Sequence, residues 1–225
     1  MSNKSGMTHA PRGKREPVVK PGEFKVAAVG LDHGHIIGMC YGLADAGAEI
    51  VGVYDRDPSK VESFQKSFPN AQPARAVEEV MDDPNVDMIA SSIVPSERGP
   101  LGLKVQAAGK HYFVDKAPFT TLEQVEEARR SVRETGKVWG ICYSERLQNE
   151  AAVCADQLVA DGAIGRVLQV IGLGPHRLQA SDRPDWFFKK DTYGGILIDL
   201  GSHQIEQFLY YAGATSATIT SSRVA

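Results

Sequence analysis

The sequence has few cysteines, no long apolar run and no excess of positive charge. The three cysteines in 225 residues have no CxxC spacing, which fits a reducing, cytoplasmic setting. No stretch approaches the roughly 20 consecutive apolar residues that a membrane helix needs, so no membrane partner is predicted. The formal net charge is −3. Because nucleic-acid binders usually present a strongly basic face, we expect no nucleic-acid partner.

The composition is that of an ordinary globular protein, with 42% hydrophobic and 24% charged residues. The only basic cluster lies in residues 1–22, among prolines and glycines. We interpret residues 1–22 as a flexible basic tail. The remainder divides by its pattern into a first domain at 23–145 and the start of a second domain at 146–225, which looks truncated.

Short apolar runs alternate with longer amphipathic ones from Phe24 onward, which is typical of βαβ units around a parallel sheet. The predicted strands are 24–30, 49–55, 86–93, 111–115 and 137–143, and the predicted helices between them are 35–46, 58–68 and 121–135. The fold class is therefore α/β, a Rossmann-type doubly wound parallel sheet followed by a partial α+β substrate domain.

The pattern changes after Tyr143. A long helix is predicted over 146–161, a strand over 165–174, a second helix from about Leu200 to Tyr211 and one more strand over 215–225. A loop rich in His, Arg, Pro and Trp separates the first strand from the second helix. We interpret this part as an unfinished second domain.

The first strand runs directly into GLDHGH (Gly30 to His35) and then into a helix. A dinucleotide-binding fold places the cofactor pyrophosphate at this position. The GxGxxG fingerprint is not met strictly, because Asp32 and His35 hold its second and third glycine positions. Asp32 is interpreted as the helix N-cap, and the histidines as donors of hydrogen bonds or positive charge to phosphate oxygens. The predicted cofactor contacts here are Gly30, Leu31, His33, Gly34 and His35.

Asp55 ends the second predicted strand, about 25 residues after Gly30. A carboxylate near this position can accept both hydroxyls of the adenosine ribose, which favours NAD. The adjacent Arg56 leaves NADP possible, because a guanidinium pairs well with a 2′-phosphate. A turn aspartate at a strand end is the structural alternative for Asp55.

Two later stretches carry further chemistry. VDKAP places Lys116 at the carboxyl end of a strand, and GGILIDLGSHQIEQF holds Asp199 and His203 four residues apart, on one face if they share a helix. With AAGKHYFVDKAPFTTLEQ and ADGAIGRV, these stretches make the sequence similar to the Gfo/Idh/MocA oxidoreductase family. The resemblance covers nearly everything from Phe24 onward. The family's usual Glu-Lys-Pro is here Asp115, Lys116 and Ala117, with the proline displaced to Pro118.

The resemblance implies a role for each of these side chains. His203 would be the general base that takes the hydroxyl proton, Asp199 would orient it, and Lys116 would stabilise the developing alkoxide. Each of the three alone is more often structural, and their joint occurrence favours function. We expect the three to converge beside the nicotinamide. Pro95, Asp115 and Lys116 complete the predicted cofactor contacts.

The predicted loop carries side chains suited to a sugar ring or an acidic substituent. The substrate residues predicted here and before it are Arg146, His176, Trp186 and Tyr193. A metal site built from His176, Asp199 and His203 is conceivable, but no metal is predicted.

These features predict hydride transfer between NAD(P) and a secondary alcohol of a sugar, polyol or related ring. The expected partner is a small carbohydrate-like substrate, with a homo-oligomer if the second domain is completed. Two alternatives stay open: a non-catalytic dinucleotide sensor or subunit, and an NAD-using lyase or epimerase.

Overall fold

A computed structural model describes residues 16–224 of the chain. These residues form two compact units. Residues 16–142 and 179–199 form the first, here called the sheet unit, and residues 143–178 and 200–224 form the second, here called the helical unit. Most of the predicted basic tail lies outside the described residues. Within its last part, the backbone N–H groups of Val18 and Val19 donate to the carbonyl of Ala46.

The sheet unit contains a six-stranded, wholly parallel sheet in the order β3-β2-β1-β4-β5-β6. The strands are β1 (Lys25–Val29), β2 (Glu49–Tyr54), β3 (Gln72–Pro73), β4 (Met88–Ser91), β5 (His111–Asp115) and β6 (Trp139–Cys142). The predicted doubly wound parallel sheet is confirmed. The two-residue β3 was not predicted, because so short a run gives no periodic signal.

Both faces of the sheet are buried, and β1 shows how. Val26 and Ala28 enter one apolar cluster with Phe64. Ala27 and Val29 enter the other. Successive residues of a strand point to opposite faces, so a strand buried on both faces needs the continuous apolar run that this one has.

Ten α-helices are described within residues 16–224. They are α1 (His35–Asp45), α2 (Pro58–Gln65), α3 (Val77–Met81), α4 (Pro95–Ala107), α5 (Leu122–Thr135), α6 (Ser144–Leu147), α7 (Glu150–Ala160), α8 (Lys190–Tyr193), α9 (Ile196–Asp199) and α10 (Gly201–Tyr211). Short 3-10 turns lie at Ala180–Asp182 and Asp185–Phe188.

Local capping explains where the helices predicted from the sequence begin and end. Asp57 caps α2 by accepting the Ser59 N–H at 2.9 Å, with proline at the first turn. Thr121 caps α5 by accepting the Gln124 N–H, and Gly136 ends that helix in the left-handed conformation at φ 66°. Helix α4 has Pro100 inside it and a weakly amphipathic sequence, which is why periodicity did not predict it.

The helical unit differs from prediction in its strands. The helix expected over 146–161 is divided into α6 and α7, and α7 starts at the N-cap Asn149, whose side chain accepts from Ala151 N at 3.0 Å. The strands predicted over 165–174 and 215–225 are wrong for the described residues, since neither segment is assigned to a strand. A strand requires a neighbour for its backbone hydrogen bonds, and no described segment pairs with either one.

Within residues 16–224, no helix combines the length and apolar character required to cross a membrane.

Candidate functional site

The turn that follows β1 has a strict requirement for glycine at its first position. Gly30 has φ +73°, and a Cβ atom there would lie 2.7 Å from the Cβ of Ile93. Both the backbone conformation and the space therefore demand glycine. Gly34 is different: it is the N-cap of α1 with a helical φ of −60°, and a Cβ would meet nothing within 4 Å. The surface at the start of α1 is thus open to a ligand.

Asp55 ties this turn to the end of β2. Its Oδ2 accepts the Leu31 N–H at 2.6 Å, and its Oδ1 accepts the Asp57 N–H at 2.8 Å. The side chain is 6% exposed. Each oxygen keeps a further lone pair, so the carboxylate can still accept hydroxyl donors.

A cavity of about 590 Å³ opens next to Asp55, at the carboxyl ends of β1, β2 and β4. This volume lies in the range of about 300–1,000 Å³ that is common for small-molecule sites. Its wall includes Gly30, Asp32, Asp55 and Lys60. A cavity at this edge, where the chain order of the strands reverses between β1 and β4, is where doubly wound folds bind their ligands.

Asp32 does not cap α1, so that interpretation was wrong. Its Oδ1 accepts a short hydrogen bond from Lys60 Nζ on α2, and its Oδ2 accepts the Val94 N–H at 3.3 Å. Burial alone would lower the pKa of Lys60, but the hydrogen bond and charge of Asp32 outweigh burial and raise it. Asp32 therefore connects its own turn to α2 and to the start of α4, and Gly34 is the N-cap of α1.

Two more of the predicted cofactor residues, Arg56 and Pro95, lie near this cavity. Arg56 is 79% exposed and lies 3.4 Å from Glu97 Oε2. Pro95 is buried at the first turn of α4, close to Val94 and Glu97 of the cavity wall. Arg56 can therefore move toward a ligand, whereas Pro95 shapes the wall.

Asp115, at the end of β5, is fully buried in a network that the sequence did not predict. Arg98 of α4 donates from Nη2 to Asp115 Oδ2 at 3.1 Å, and both side chains are 1% exposed. The same guanidinium donates to the carbonyls of Ile93, Asp115, Lys116 and Ala117. Burial alone would raise the pKa of Asp115, but Arg98 and His35 hold it well below its usual range.

His33 and His35 lie beside Asp115. His35 Nδ1 is 2.9 Å from Asp115 Oδ1, and His33 Nδ1 is 3.4 Å from Asp115 Oδ2. Burial and then the neighbouring His35 lower the pKa of His33 to about 3. Partial burial thus favours a neutral His33, which supports a hydrogen bond to phosphate more than a positive charge.

An aromatic segment lies next to this pair. The ring centroids of Trp186 and Phe187 are 6.2 and 5.7 Å from that of His33, and 4.2 Å from each other. The structure thus brings a predicted substrate residue, Trp186, to a predicted cofactor residue. Tyr193 ends α8, a short helix that packs against α4 within the same unit.

Lys116 and Asp199 form a buried ion pair in the sheet unit. Lys116 Nζ donates to Asp199 Oδ1 at 2.8 Å and to the Asp199 carbonyl at 3.1 Å. Each side chain is 7% exposed. The peptide bond between Lys116 and Ala117 is cis. The structure therefore joins two of the three predicted catalytic residues across 83 positions of sequence.

Asp199 and His203 do not share one helix, so the condition for placing them on one helix face is not met. Asp199 ends α9, Leu200 interrupts the helix, and His203 belongs to α10. In the helical unit the His203 N–H donates to the Leu200 carbonyl at 3.1 Å. The four-residue spacing thus spans a helix junction and does not by itself set the orientation of the two side chains.

His203 is buried in the helical unit near a carboxylate and a second imidazole. Glu145 Oε1 lies 2.8 Å from His176 Nε2 and 3.8 Å from His203 Nε2. The rings of His176 and His203 are nearly parallel, with centroids 6.5 Å apart. Two predicted residues, His176 and His203, are thus brought together around Glu145.

Arg146 is held by its own unit. It donates from Nε and Nη2 to Glu206 Oε1 at 2.8 and 2.6 Å, and from Nη1 to Asp156 at 3.4 Å. Its guanidinium carbon lies 3.7 Å above the Tyr210 ring. Only 13% of the Arg146 side chain is exposed. This geometry favours a role in stabilising the helical unit over contact with substrate.

Three residues of these networks were missed from sequence: Lys60, Arg98 and Glu145. Arg98 lies on the helix that periodicity did not reveal, and a buried arginine has no sequence signature of its own. Glu145 directly follows the last strand of the first predicted domain, and its place beside two distant histidines depends on tertiary contacts. Lys60 follows Pro58 on a predicted helix, and only its closeness to Asp55 could have pointed to the cavity.

The sheet unit fits a dinucleotide. It offers the glycine turn at Gly30, the open start of α1 at Gly34, a carboxylate with spare lone pairs at Asp55 and a cavity of suitable size. The carboxylates of Asp32 and Asp55 line the cavity wall, and their negative charge makes the 2′-phosphate of NADP less favourable there than the free ribose hydroxyls of NAD.

Comparison with protein families agrees with this geometry. Residues 24–143 match the model described as an oxidoreductase family with an NAD-binding Rossmann fold, and residues 153–224 match the GFO/IDH/MocA C-terminal domain.

Individual proteins give the same relationship. The chain is similar to D-xylose dehydrogenase of Paenarthrobacter nicotinovorans, 29% identical over 66% of this chain and 39% of the relative. It is also similar to the NADP⁺-dependent scyllo-inositol 2-dehydrogenase of Bacillus subtilis, 25% identical over 71% of this chain and 44% of the relative. A solved structure of a protein assigned as an oxidoreductase from Erwinia carotovora atroseptica matches with TM-score 0.81 and 45% identity, over 84% of this chain and 57% of that chain. The chain thus spans less than two thirds of the length of each.

Proposed function

Because the chain belongs to the Gfo/Idh/MocA family of oxidoreductases, we propose that it acts in hydride transfer between NAD and a secondary alcohol of a sugar, a polyol or a related ring. NAD is the cofactor of its Rossmann domain, and NADP is the less favoured alternative. The two curated relatives act on a pentose and on an inositol, which supports a small polyhydroxylated substrate.

The buried pair of Lys116 with Asp199 is the observation that carries the proposal. Holding an ammonium group with 7% exposure costs desolvation that a purely structural lysine at a strand end would avoid by facing solvent. Lys116 follows β5 directly, at the sheet edge that also carries the Gly30 turn and the cavity. A cation fixed there can stabilise negative charge that develops on a substrate oxygen.

The residues divide the work as follows. When bound, the nicotinamide accepts or donates the hydride. Gly30, Leu31 and Asp55 hold the dinucleotide through the turn and the ribose carboxylate. Lys116 donates a hydrogen bond to the reacting hydroxyl, and Asp199 fixes the lysine.

We propose His203 as the base that takes the hydroxyl proton. An imidazole can exchange a proton near neutral pH. Glu145 lies 3.8 Å from its Nε2 and favours the imidazolium that proton transfer would create. Both ring nitrogens of His176 have partners, Glu145 at Nε2 and the Gly174 carbonyl at Nδ1, so His176 would bind a substrate hydroxyl by exchanging one of these partners for it.

The test is cofactor binding and turnover by the purified chain. NAD is expected to bind, and nicotinamide absorbance is expected to change with at least one member of a sugar and polyol panel. Lys116→Met should lower kcat by about 10²–10³-fold while NAD affinity stays within a few fold. Lys66→Met, which removes an exposed lysine from the end of α2, is the matched control.

Three results would contradict the proposal. Failure to bind either dinucleotide would refute the cofactor site. Binding of NAD with no turnover of any panel member would indicate a dinucleotide-binding subunit instead, and product formation without net cofactor reduction would indicate a lyase or epimerase.

Assembly into a homo-oligomer is part of the same proposal. Leu168, Ile171 and Leu173 are each 75% or more exposed in the helical unit, and adjacent exposed apolar side chains are common where copies of a protein meet. Light scattering of the purified chain measures this state directly. A cytoplasmic location is also proposed, in keeping with the three free cysteines.

A further inference from the structure

We propose that His33, His35 and Asp115 form a binding site for a divalent transition-metal ion such as Zn²⁺ or Co²⁺. One ligand atom from each residue lies within 4.8 Å of the other two. His35 Nδ1 and Asp115 Oδ1 are 2.9 Å apart, and His33 Nδ1 is 3.4 Å from Asp115 Oδ2. In a tetrahedral zinc site with bonds of about 2.0–2.1 Å, neighbouring ligand atoms are about 3.3 Å apart, so the three side chains would draw together from separations of at most 4.8 Å.

The chemistry of the three side chains suits such an ion. Two imidazoles and one carboxylate are the nitrogen and oxygen ligands that zinc and cobalt prefer.

The His35 ring is free to give up its contact with Asp115. Its Nε2 is buried without a hydrogen-bond partner among residues 16–224, so the side chain is held by the single polar contact of Nδ1 with Asp115. The ring therefore loses no other described side-chain hydrogen bond when Nδ1 turns from the carboxylate to an ion.

Arg98 limits the affinity but does not block the site. Arg98 Nη2 donates a hydrogen bond to Asp115 Oδ2, whereas Asp115 Oδ1 lies next to His35. Three of its other hydrogen bonds go to backbone carbonyls from Nη1, so the guanidinium does not depend on the carboxylate alone. The ion would therefore bind through Oδ1, with a water in the open fourth position.

The ion would compete with the dinucleotide. His33 and His35 flank Gly34 at the start of α1, where the fold places the pyrophosphate. This competition rests on the proposed function, whereas the metal site itself does not. A resting form with metal bound would exclude cofactor until the ion is removed.

The experiment is a Co²⁺ titration of the metal-free full chain, followed by visible absorption. One ion per chain is expected, with the intense bands of low-coordinate Co²⁺. His33→Gln and His35→Gln should each weaken binding by at least about tenfold. His111→Gln is the matched control, since that imidazole accepts the Val138 N–H and lies outside the cluster.

Unchanged affinity in both glutamine variants, or no absorption bands in the wild type, would overturn the site. Circular dichroism shows whether each variant is folded. If a glutamine variant does not fold, His33→Cys provides the second test, because a thiolate ligand should retain Co²⁺ and add a sulfur-to-cobalt charge-transfer band. Absence of that band in the folded cysteine variant would equally refute the proposal.

NADH binding separates this inference from the proposed function. If the metal site and the cofactor site are both present, Co²⁺ should raise the apparent Kd of NADH in wild type and not in His35→Gln. Co²⁺ binding in a chain that binds no NADH would leave the metal site standing and refute the cofactor site. Simultaneous binding of both ligands at full strength would refute the competition.

Discussion

Replacing Arg98 with methionine tests the buried network that holds the loop after β5. Arg98 and Asp115 are each 1% exposed and 3.1 Å apart. Removing one partner of such a pair leaves the other charge buried without compensation, at a cost of about 3–5 kcal/mol. For a chain of 225 residues, each kcal/mol lowers Tm by about 2–4 °C, so the expected drop is about 6–20 °C.

The assay is urea unfolding followed by circular dichroism, together with a thermal melt. Arg56→Met is the control, because that arginine and its partner Glu97 are 79% and 43% exposed and the loss should stay below about 1 kcal/mol. The double variant Arg98→Met/Asp115→Asn should recover about 1 kcal/mol or more, since the uncompensated charge is then gone. An Arg98→Met protein no less stable than Arg56→Met would refute the reasoning.

Three further predictions concern the cofactor edge of the sheet. Burial lowers the pKa of His33 in the folded chain to about 3, from 6.5 in model peptides. Between these two pH values the unfolded chain binds a proton that the folded chain does not, so the free energy of unfolding should fall as pH drops from about 6.5 toward 3. Urea midpoints measured across this pH range should show a shallower slope in His33→Gln. Gly30→Ala should cost about 2–4 kcal/mol because it combines a positive φ with a clash against Ile93, whereas Gly109→Ala, with φ +77° and open space, should cost about 1 kcal/mol; equal losses would show that the clash is relieved. Asp55→Asn should raise the Kd of NAD relative to the Kd of NADP by about tenfold. If fluorescence titrations show an unchanged ratio of the two Kd values, Asp55 does not select between the cofactors.

Local signals were sufficient for much of the sheet unit. The strand containing Val26 and Ala28 was predicted because it is apolar on both faces, and α5 because Thr121 and Gly136 mark its ends. The same reasoning failed for the strands expected over 165–174 and 215–225, since a strand forms only where a neighbour accepts its hydrogen bonds.

The residues proposed for the site could be named from the sequence, but their contacts could not. Lys116 and Asp199 both lie in motifs that carry the family resemblance, and nothing in those motifs predicted that the two side chains pair at 2.8 Å. Glu145, the carboxylate beside His203 in the helical unit, carried no motif at all.

The sequence alone determined the class of this protein: a parallel α/β sheet with a glycine turn after its first strand, an aspartate at the end of the second and a lysine at the end of a later strand, because these features depend on local periodicity and on spacing along the chain. Only the tertiary structure decided which charges meet. Asp32 pairs with Lys60, Arg98 pairs with Asp115, and partial burial lowers the pKa of His33. Ion pairing and desolvation depend on distances between residues that are remote in sequence, so no local pattern encodes them.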